Sequence, residues 1–467
     1  MFDLRRAGLL TGWMALSAVP LGAQDYYGDI RPVIEERCLG CHNEGGIAFS
    51  MEDAEETYAR HRDITRMVAG RRMPPWLAET GHQQYEGDLS LGDETVALFR
   101  GWADSGYSKG SAGRTSSSPK APSSSFVPDV SVEIMPGKAY LPDQSRADDY
   151  RCFVVDWPGE SHGYVTGFRT VPGNHQVAHH TVVYAASPEV SAEFHALTEE
   201  EEGLGYQCFG GALPDRLGSR AEREVYEAEH PDGVRELNRN NFWLAHWAPG
   251  MFGQSFPEGT GIPMAPGSAL VVQMHYYSAE APGESDEGTV LEFTTAPEVQ
   301  RPAFHFPQTN NRWLNGDGNG SMVIPAGQQA TYAVTETLGD WVGYVAAVTD
   351  VPEDEIGALE IHSANLHMHA IGHSGRIYLT DRNGRRETLL SVPRWDLAWQ
   401  RDFTFVEPKV FSADELERTQ LTVECVFENP GKETVYGGFG SDEEMCFNFS
   451  YIAVQRSEKA AEGSSRR

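Results

Sequence analysis

Apolar positions change their spacing once along this chain of 467 residues. Between residues 24 and 109 they recur at helical intervals. Ile30, Val33 and Ile34 make one short apolar face. Val96, Phe99, Trp102 and Ala103 make a second, with Ser90 or Asp93 placed as its cap. Residues 110–127 are Ser, Pro and Ala with little to bury, and read as a linker or passive spacer. From residue 128 onward short β-type runs alternate with Gly/Pro/Asp clusters: Cys152–Trp157, Val177–Ala185, Ala269–Tyr277, Gln329–Thr335, Gly375–Thr380 and Leu421–Phe427. Asp381-Arg382-Asn383-Gly384 lies between two such runs and predicts a tight hairpin. Long helical periodicity is scarce here. The expectation is a multidomain chain, with a small α-helical domain followed by antiparallel β-sandwiches.

Composition refines this picture. The chain is too long for one compact core. Its net charge of −31 would repel nucleic acid and anionic membranes. Residues 1–23 read as a cleavable signal peptide: Arg5 and Arg6 supply charge, Leu9–Leu21 is mostly apolar, and Gly22-Ala23 offers a small-residue cleavage site. An uncleaved anchor or twin-arginine export are the alternatives. No later segment is long and apolar enough to be transmembrane, so stable membrane insertion is not expected. The charged, small-residue tail at 458–467 reads as disordered.

Cys38-Leu39-Gly40-Cys41-His42 is a C-x-x-C-H motif. Two thiols at this spacing can add across the vinyl groups of haem, and the adjacent His42 can reach the iron. A redox dithiol is the competing reading. Met73, in Arg72-Met73-Pro74-Pro75-Trp76, is the best candidate for a sixth ligand, because the prolines stiffen its loop. Met51, Met67, His61 and His82 are competitors with ordinary packing or surface roles. The C-L-G-C-H and R-R-M-P-P-W motifs, with a closing helix ending Gly-Trp-Ala-Asp-Ser-Gly, resemble a small bacterial cytochrome c domain.

Histidines cluster in the β-rich body. His179 and His180 are adjacent, His275 sits in a second apolar run, and His367 and His369 form H-x-H. Residues two apart on a strand share a face, so His367 and His369 make a natural chelate. Neighbours on a strand point apart, so His179 and His180 could reach one metal only through a bulge or through different ring nitrogens. A lone strand histidine is ordinarily structural; several at chelating spacings are not. Imidazoles suit copper or zinc, whereas a thioether such as Met445 favours copper.

The pieces A-H-H-T, L-A-H-W-A-P-G, V-V-Q-M-H-Y-Y, V-I-P-A-G, L-H-M-H-A-I-G, E-C-V-F-E-N and D-E-E-M-C, in that order over residues 150–455, resemble the copper type II monooxygenases. Peptidylglycine α-hydroxylating monooxygenase and dopamine β-monooxygenase typify that family. The resemblance implies two jelly-roll-like β-sandwich subdomains, 128–296 and 297–457, across an open cleft. It implies an electron-transfer copper on His179, His180 and His275, and an oxygen-activating copper on His367, His369 and Met445. It further implies hydroxylation of a C–H bond by O2, and a disulfide between Cys425 and Cys446. Cys152 and Cys208 remain and can pair, leaving no spare thiol beyond the haem pair, as in an oxidising compartment.

Two positions depart from the peptide-amidating members. Asn365 stands where they carry a substrate-gripping Arg, and Phe449 where they carry a Tyr. That puts a peptide-glycine substrate in doubt. His162, His175, His246, His362 and His373 carry no assigned role, and surface or packing roles are favoured. The expectation is therefore a periplasmic or secreted copper monooxygenase with two copper ions and one haem c, held by Cys38, Cys41, His42 and Met73. It would take a small organic substrate, O2, and electrons from a periplasmic donor or small reductant. The alternative is a non-catalytic haem and copper redox or copper-handling protein.

Overall fold

The computed structural model describes residues 24–44, 48–112, 126–145, 148–208, 211–214, 237, 240–248, 251, 253–279, 281–315, 320–438 and 443–457. The expected signal segment, most of the linker and the tail lie outside these. The chain divides into two compact units, one of Met1–Pro74 with Leu91–Ala121 and one of Pro75–Ser90 with Pro122–Arg467.

The first unit is built of short helices: a π-helical turn at Tyr26–Ile30, α1 (Arg31–Arg37), α2 (Ala54–Ala59), α3 (His61–Ala69) and α4 (Asp93–Asp104). Asp53 caps α2 by accepting from the backbone N–H groups of Glu55 and Glu56. Ile30, Ile34, Ile64, Val68, Val96, Phe99 and Trp102 meet in one core, so both apolar faces read from the sequence are used. Burying side chains as large as Phe99 and Trp102 contributes roughly 2–3 kcal/mol each. The cap of α4 differs from expectation. Gly92 is the N-cap, with no side-chain bond, and Asp93 is the first helical residue, paired with Arg71 instead.

Residues 75–90 belong to the second unit rather than to the helical one. Trp76 and Tyr85 pack edge-on against Phe403, at 5.0 and 5.5 Å between ring centres, and the Tyr85 hydroxyl donates to the Leu389 carbonyl at 2.6 Å. An aromatic pair with apolar partners is drawn to the larger core whatever its neighbours in sequence do.

The second unit is β-rich. Its longer strands are β1 (Val130–Glu133), β2 (Asp148–Asp156), β3 (Gly163–Val171), β4 (Ala178–Ala186), β5 (Asn241–Trp247), β6 (Thr260–Met264), β7 (Ala269–Tyr277) and β8 (Val290–Ala296) in the first half. The second half has β9 (Arg301–Gln308), β10 (Gln329–Thr337), β11 (Ile356–His367), β12 (Gly372–Thr380), β13 (Arg386–Val392), β14 (Phe403–Ser412), β15 (Gln420–Glu428) and β16 (Phe447–Arg456). A nine-stranded sheet runs β1-β8-β3-β6-β9-β16-β11-β14, with a short strand at Gln254–Ser255 on β3. A five-stranded sheet, Tyr206–Gln207 then β2-β7-β4-β5, packs on its first half through Phe153, Val183, Leu270 and Val272 against Phe168, Ile262, Leu291 and Phe293. A four-stranded sheet, β10-β15-β12-β13, packs on its second half through Ile377, Val423 and Phe427 against Phe304, Ile361 and Ile452.

The two halves are thus joined by one continuous sheet, through the parallel pair β6 and β9, rather than being two separate antiparallel sandwiches. The hairpin expected at 381–384 links β12 to β13. Gly384 sits there at φ 77°, a conformation only glycine adopts without strain, and its N–H donates to the Asp381 carbonyl at 2.9 Å.

Candidate metal centre

β4 and β7 are antiparallel neighbours with His180 directly opposite His275. The register slips between His275 and Tyr276, which pairs with Ala178, so His179 is the extra residue of a β-bulge. The bulge turns the His179 ring to the same side as His180. His275 Nδ1 lies 3.2 Å from His179 Nδ1 and 3.4 Å from His180 Nδ1. All three converge through the same ring nitrogen. These spacings match donors sharing one metal, about 3.3 Å apart when each bond is about 2.0 Å. Among the described residues this is the one group of three His, Cys, Asp or Glu donors gathered at metal-binding distance.

The surroundings prepare these rings as ligands. His275 Nε2 donates to Asp148 Oδ1 at 2.9 Å, which leaves the lone pair on Nδ1. Tyr150 stacks on the His275 ring at 4.2 Å, with planes 7° apart. Burial, then the neighbouring His275, pushes His179 down to about 4. Burial, then the imidazoles of His179, His275, His367 and His246, holds His180 well below the usual histidine range. His179 and His180 are therefore neutral at physiological pH, the state that binds metal.

The second cluster stands at the end of β11. His367 is the last strand residue, Met368 turns into the core, and His369 begins the turn to Gly372. The H-x-H rings lie 5.2 Å apart and 87° to one another, close to the ~5 Å expected of two imidazoles on one four-coordinate metal. His367 Nδ1 donates to Gln400 Oε1 at 2.5 Å, and Gln400 is oriented by its own amide donating to the Leu397 carbonyl. His369 Nδ1 donates to the Glu443 carbonyl at 2.9 Å. Both rings thus carry their proton on Nδ1 and their lone pair on Nε2. Met445 is buried two residues beyond Glu443, and its neighbour Cys446 is bonded to Cys425 on β15. Cys152 and Cys208 form the other disulfide. Burial pushes the Glu444 carboxyl up to about 7, against the pull of backbone N–H donors from His369, Ile371, Met445 and Gly372.

Sequence reasoning missed Asp148, Gln400, Glu444, Asp402 and His305, whose roles depend on partners far along the chain. Beside these clusters side chains of the two halves meet. Trp243 on β5 packs on Phe449 of β16 at 4.3 Å, and Phe449 lies 6.0 Å from the His367 ring. His246 Nε2 faces Asp402 Oδ2 at 3.6 Å, and Asp402 Oδ1 accepts from Asn365 at 2.9 Å. His305 is buried nearby without a hydrogen-bond partner on either nitrogen. His246 is therefore interior rather than superficial. His162 and His175 are exposed, His362 pairs with Glu360 at 2.8 Å, and His373 lies 3.4 Å from Glu428.

In the first unit, Cys38 caps α1, and both Cys41 N and His42 N donate to the Cys38 carbonyl, at 3.1 and 3.0 Å. His42 is buried and its Nδ1 donates to the Phe49 carbonyl at 2.9 Å, leaving the lone pair on Nε2. Cys38 and Cys41 are in no disulfide. Burial, then Cys41, pushes the Cys38 thiol up to about 12. Met73 lies in the loop after α3. Met51 is packed in the core, and His82 belongs to the second unit beside Glu79.

A search of the curated proteins finds no match. Among solved structures, the chain is similar to the VP2 subviral particle of infectious bursal disease virus at 11% identity and TM-score 0.16, over 66% of this chain and 58% of that one. It is similar to N-glycanase F at 8% identity and TM-score 0.26, over 70% and 95%. Likenesses at these TM-scores assign neither fold nor activity. No helix among the described residues is long and apolar enough to cross a membrane. Residues 320–460 match the copper type II ascorbate-dependent monooxygenase C-terminal domain, the segment that holds H-x-H, Met445 and the Cys425–Cys446 bridge. The chain carries a domain of that family and is a copper-dependent monooxygenase-type enzyme.

Proposed function

We propose that this is an exported two-copper monooxygenase that hydroxylates a C–H bond of a small organic substrate with O2 and draws electrons through a fused c-type haem. The observation that carries the two-copper reading is the convergence of three imidazole Nδ1 atoms in the half that the family model does not cover. That cluster supplies a ligand set independent of the matched domain.

His179, His180 and His275 would hold the electron-transfer copper, and His367, His369 and Met445 the oxygen-activating one. Copper bound at these sites would supply one-electron redox chemistry and a place for O2. The chain's own part is to present neutral nitrogens. Asp148, Gln400 and the Glu443 carbonyl hold the ring protons away from the metal side. A thioether donor favours the reduced metal. Asn365, tied to Asp402, offers no cation to a carboxylate-bearing substrate, which speaks against peptide-glycine.

Cys38 and Cys41 would attach the haem, and His42 and Met73 would hold its iron; the group would carry electrons singly. One observation favours this over a redox dithiol: His42 is buried with its Nδ1 proton engaged on the Phe49 carbonyl, which leaves Nε2 for iron. Two disulfides fit an oxidising compartment, periplasmic or secreted.

The test is elemental analysis of the mature exported protein with a pyridine haemochrome spectrum. Two coppers and one haem per chain are expected, with O2 consumption coupled to product. Haem without copper, after copper loading, overturns the oxygenase reading. Redox cycling without O2 uptake makes the protein a carrier.

A further inference from the structure

We infer that Glu444 is a positioning residue that locks the thioether of Met445 onto the H-x-H pair. This rests on the reading of His367, His369 and Met445 as one copper site.

Glu444 is almost fully buried, and among the described residues no Lys or Arg forms an ion pair with it. Its carboxylate is spent on backbone instead. Oε2 accepts from the N–H of His369 at 2.8 Å and from its neighbour Met445 at 3.3 Å, and Oε1 accepts from the N–H of Ile371 at 2.7 Å. One side chain therefore gathers the turn that carries His369 and the segment that carries Met445, which are 76 positions apart in the chain. The Glu444 backbone is anchored in turn: its N–H donates to the Tyr436 carbonyl at 2.9 Å, and its carbonyl accepts from Gly438 at 3.1 Å.

Other ties set the frame: His369 Nδ1 donates to the Glu443 carbonyl at 2.9 Å and His367 pairs with Phe447 across β11 and β16, but neither holds the His369 and Ile371 N–H groups to the Met445 segment. Trp395 Nε1 donates to the His369 carbonyl at 3.0 Å, and Gly372 is bare because a Cβ there would stand 2.6 Å from Trp395. The Cys425–Cys446 bridge holds the far side of Met445 to β15. The disulfide and the β11–β16 ladder fix where the segment passes, and Glu444 adds the bond from its side chain to the Met445 N–H that sets how the thioether leaves the backbone. Only a carboxylate accepts on both oxygens at once. A glutamine amide would turn an N–H toward the N–H of either Ile371 or His369, setting donor against donor.

The experiment uses full-length, copper-loaded, reduced protein, with X-ray absorption for sulfur at copper and chelator competition for Cu(I) affinity. Wild type should show a sulfur contribution. Glu444→Gln should lose it while copper at the His179 cluster stays at wild-type occupancy, and Cu(I) affinity of the second site should fall at least tenfold. Glu444→Asp, which keeps both acceptors on a shorter stem, should recover part of the sulfur signal. If Glu444→Gln does not fold, Glu444→Asp is read alone, with a reduced sulfur signal expected. Sulfur and affinity unchanged in a folded variant overturn the positioning role. Absence of sulfur in wild type overturns the Met445 ligand reading, and the positioning role with it.

Discussion

His180 on β4 stands directly across from His275 on β7, and the register slips one residue beyond that pair, leaving His179 with no cross-strand partner of its own. Adjacent strand residues normally face opposite ways. Here the slip is what lets both reach one point with His275, through the same nitrogen.

Asp148 is the neighbour that fixes the tautomer of His275. Asp148→Asn keeps the shape but weakens the pull on the Nε2 proton. Copper affinity of this cluster should fall by about tenfold to a hundredfold, with the second copper unaffected. A chelator titration followed by copper quantification checks this, and unchanged affinity removes Asp148 from the site.

Glu360 governs an acid-sensitive part of stability. Burial alone would raise its carboxyl, but hydrogen bonds from His362, Gln455 and Arg301 outweigh it and hold the group near about 2. A depressed folded value stabilises above the unfolded pKa, and that stabilisation is lost as pH falls toward 2. The difference from an ordinary Glu is worth about 3 kcal/mol. Urea midpoints should fall between about pH 5 and pH 2 in wild type. Glu360→Gln should be less stable at pH 7 and show a flatter acid limb; parallel curves would contradict this.

The Cys152–Cys208 bridge spans 56 residues of sequence. Closing a loop of that size stabilises by about 4 kcal/mol in the chain-entropy view. The Cys152→Ala/Cys208→Ala double variant should therefore melt well below wild type by calorimetry. A shift of only a degree or two would mean that the core, not the bridge, holds this region.

Met73→Ala should leave haem covalently attached, because Cys38 and Cys41 are untouched, while lowering the haem potential. Turnover with a periplasmic electron donor should drop, and turnover with a small reductant acting directly on copper should not. Equal turnover with both donors would show that electrons bypass the haem. Cys41→Ala should weaken covalent haem retention on a denaturing gel.

Much of this protein was legible locally. The change from helical apolar spacing to short β-type runs between turn residues marked the passage from Phe99 and Trp102 to strands such as β7, whose side chains form one continuous buried run. H-x-H and the Asn383-Gly384 corner were legible because each works through neighbours only a few residues apart. The bulge at His179 was legible only as a requirement, and the tertiary pairing of β4 with β7 supplied it.

Contacts between distant residues were beyond a reading of the chain. Gln400 orients His367, Asp148 orients His275, and Glu444 spans from Met445 to His369. Nothing in the sequence near a Gln, Asp or Glu tells a solvated side chain from one committed to a ligand. Trp76 and Tyr85 likewise follow a helical segment in sequence but pack in the β core. The sequence by itself determined which atoms could bind metal. Only the tertiary structure decided which of them meet, and which protons are held out of the way, because both depend on strand register and burial between distant parts of the chain.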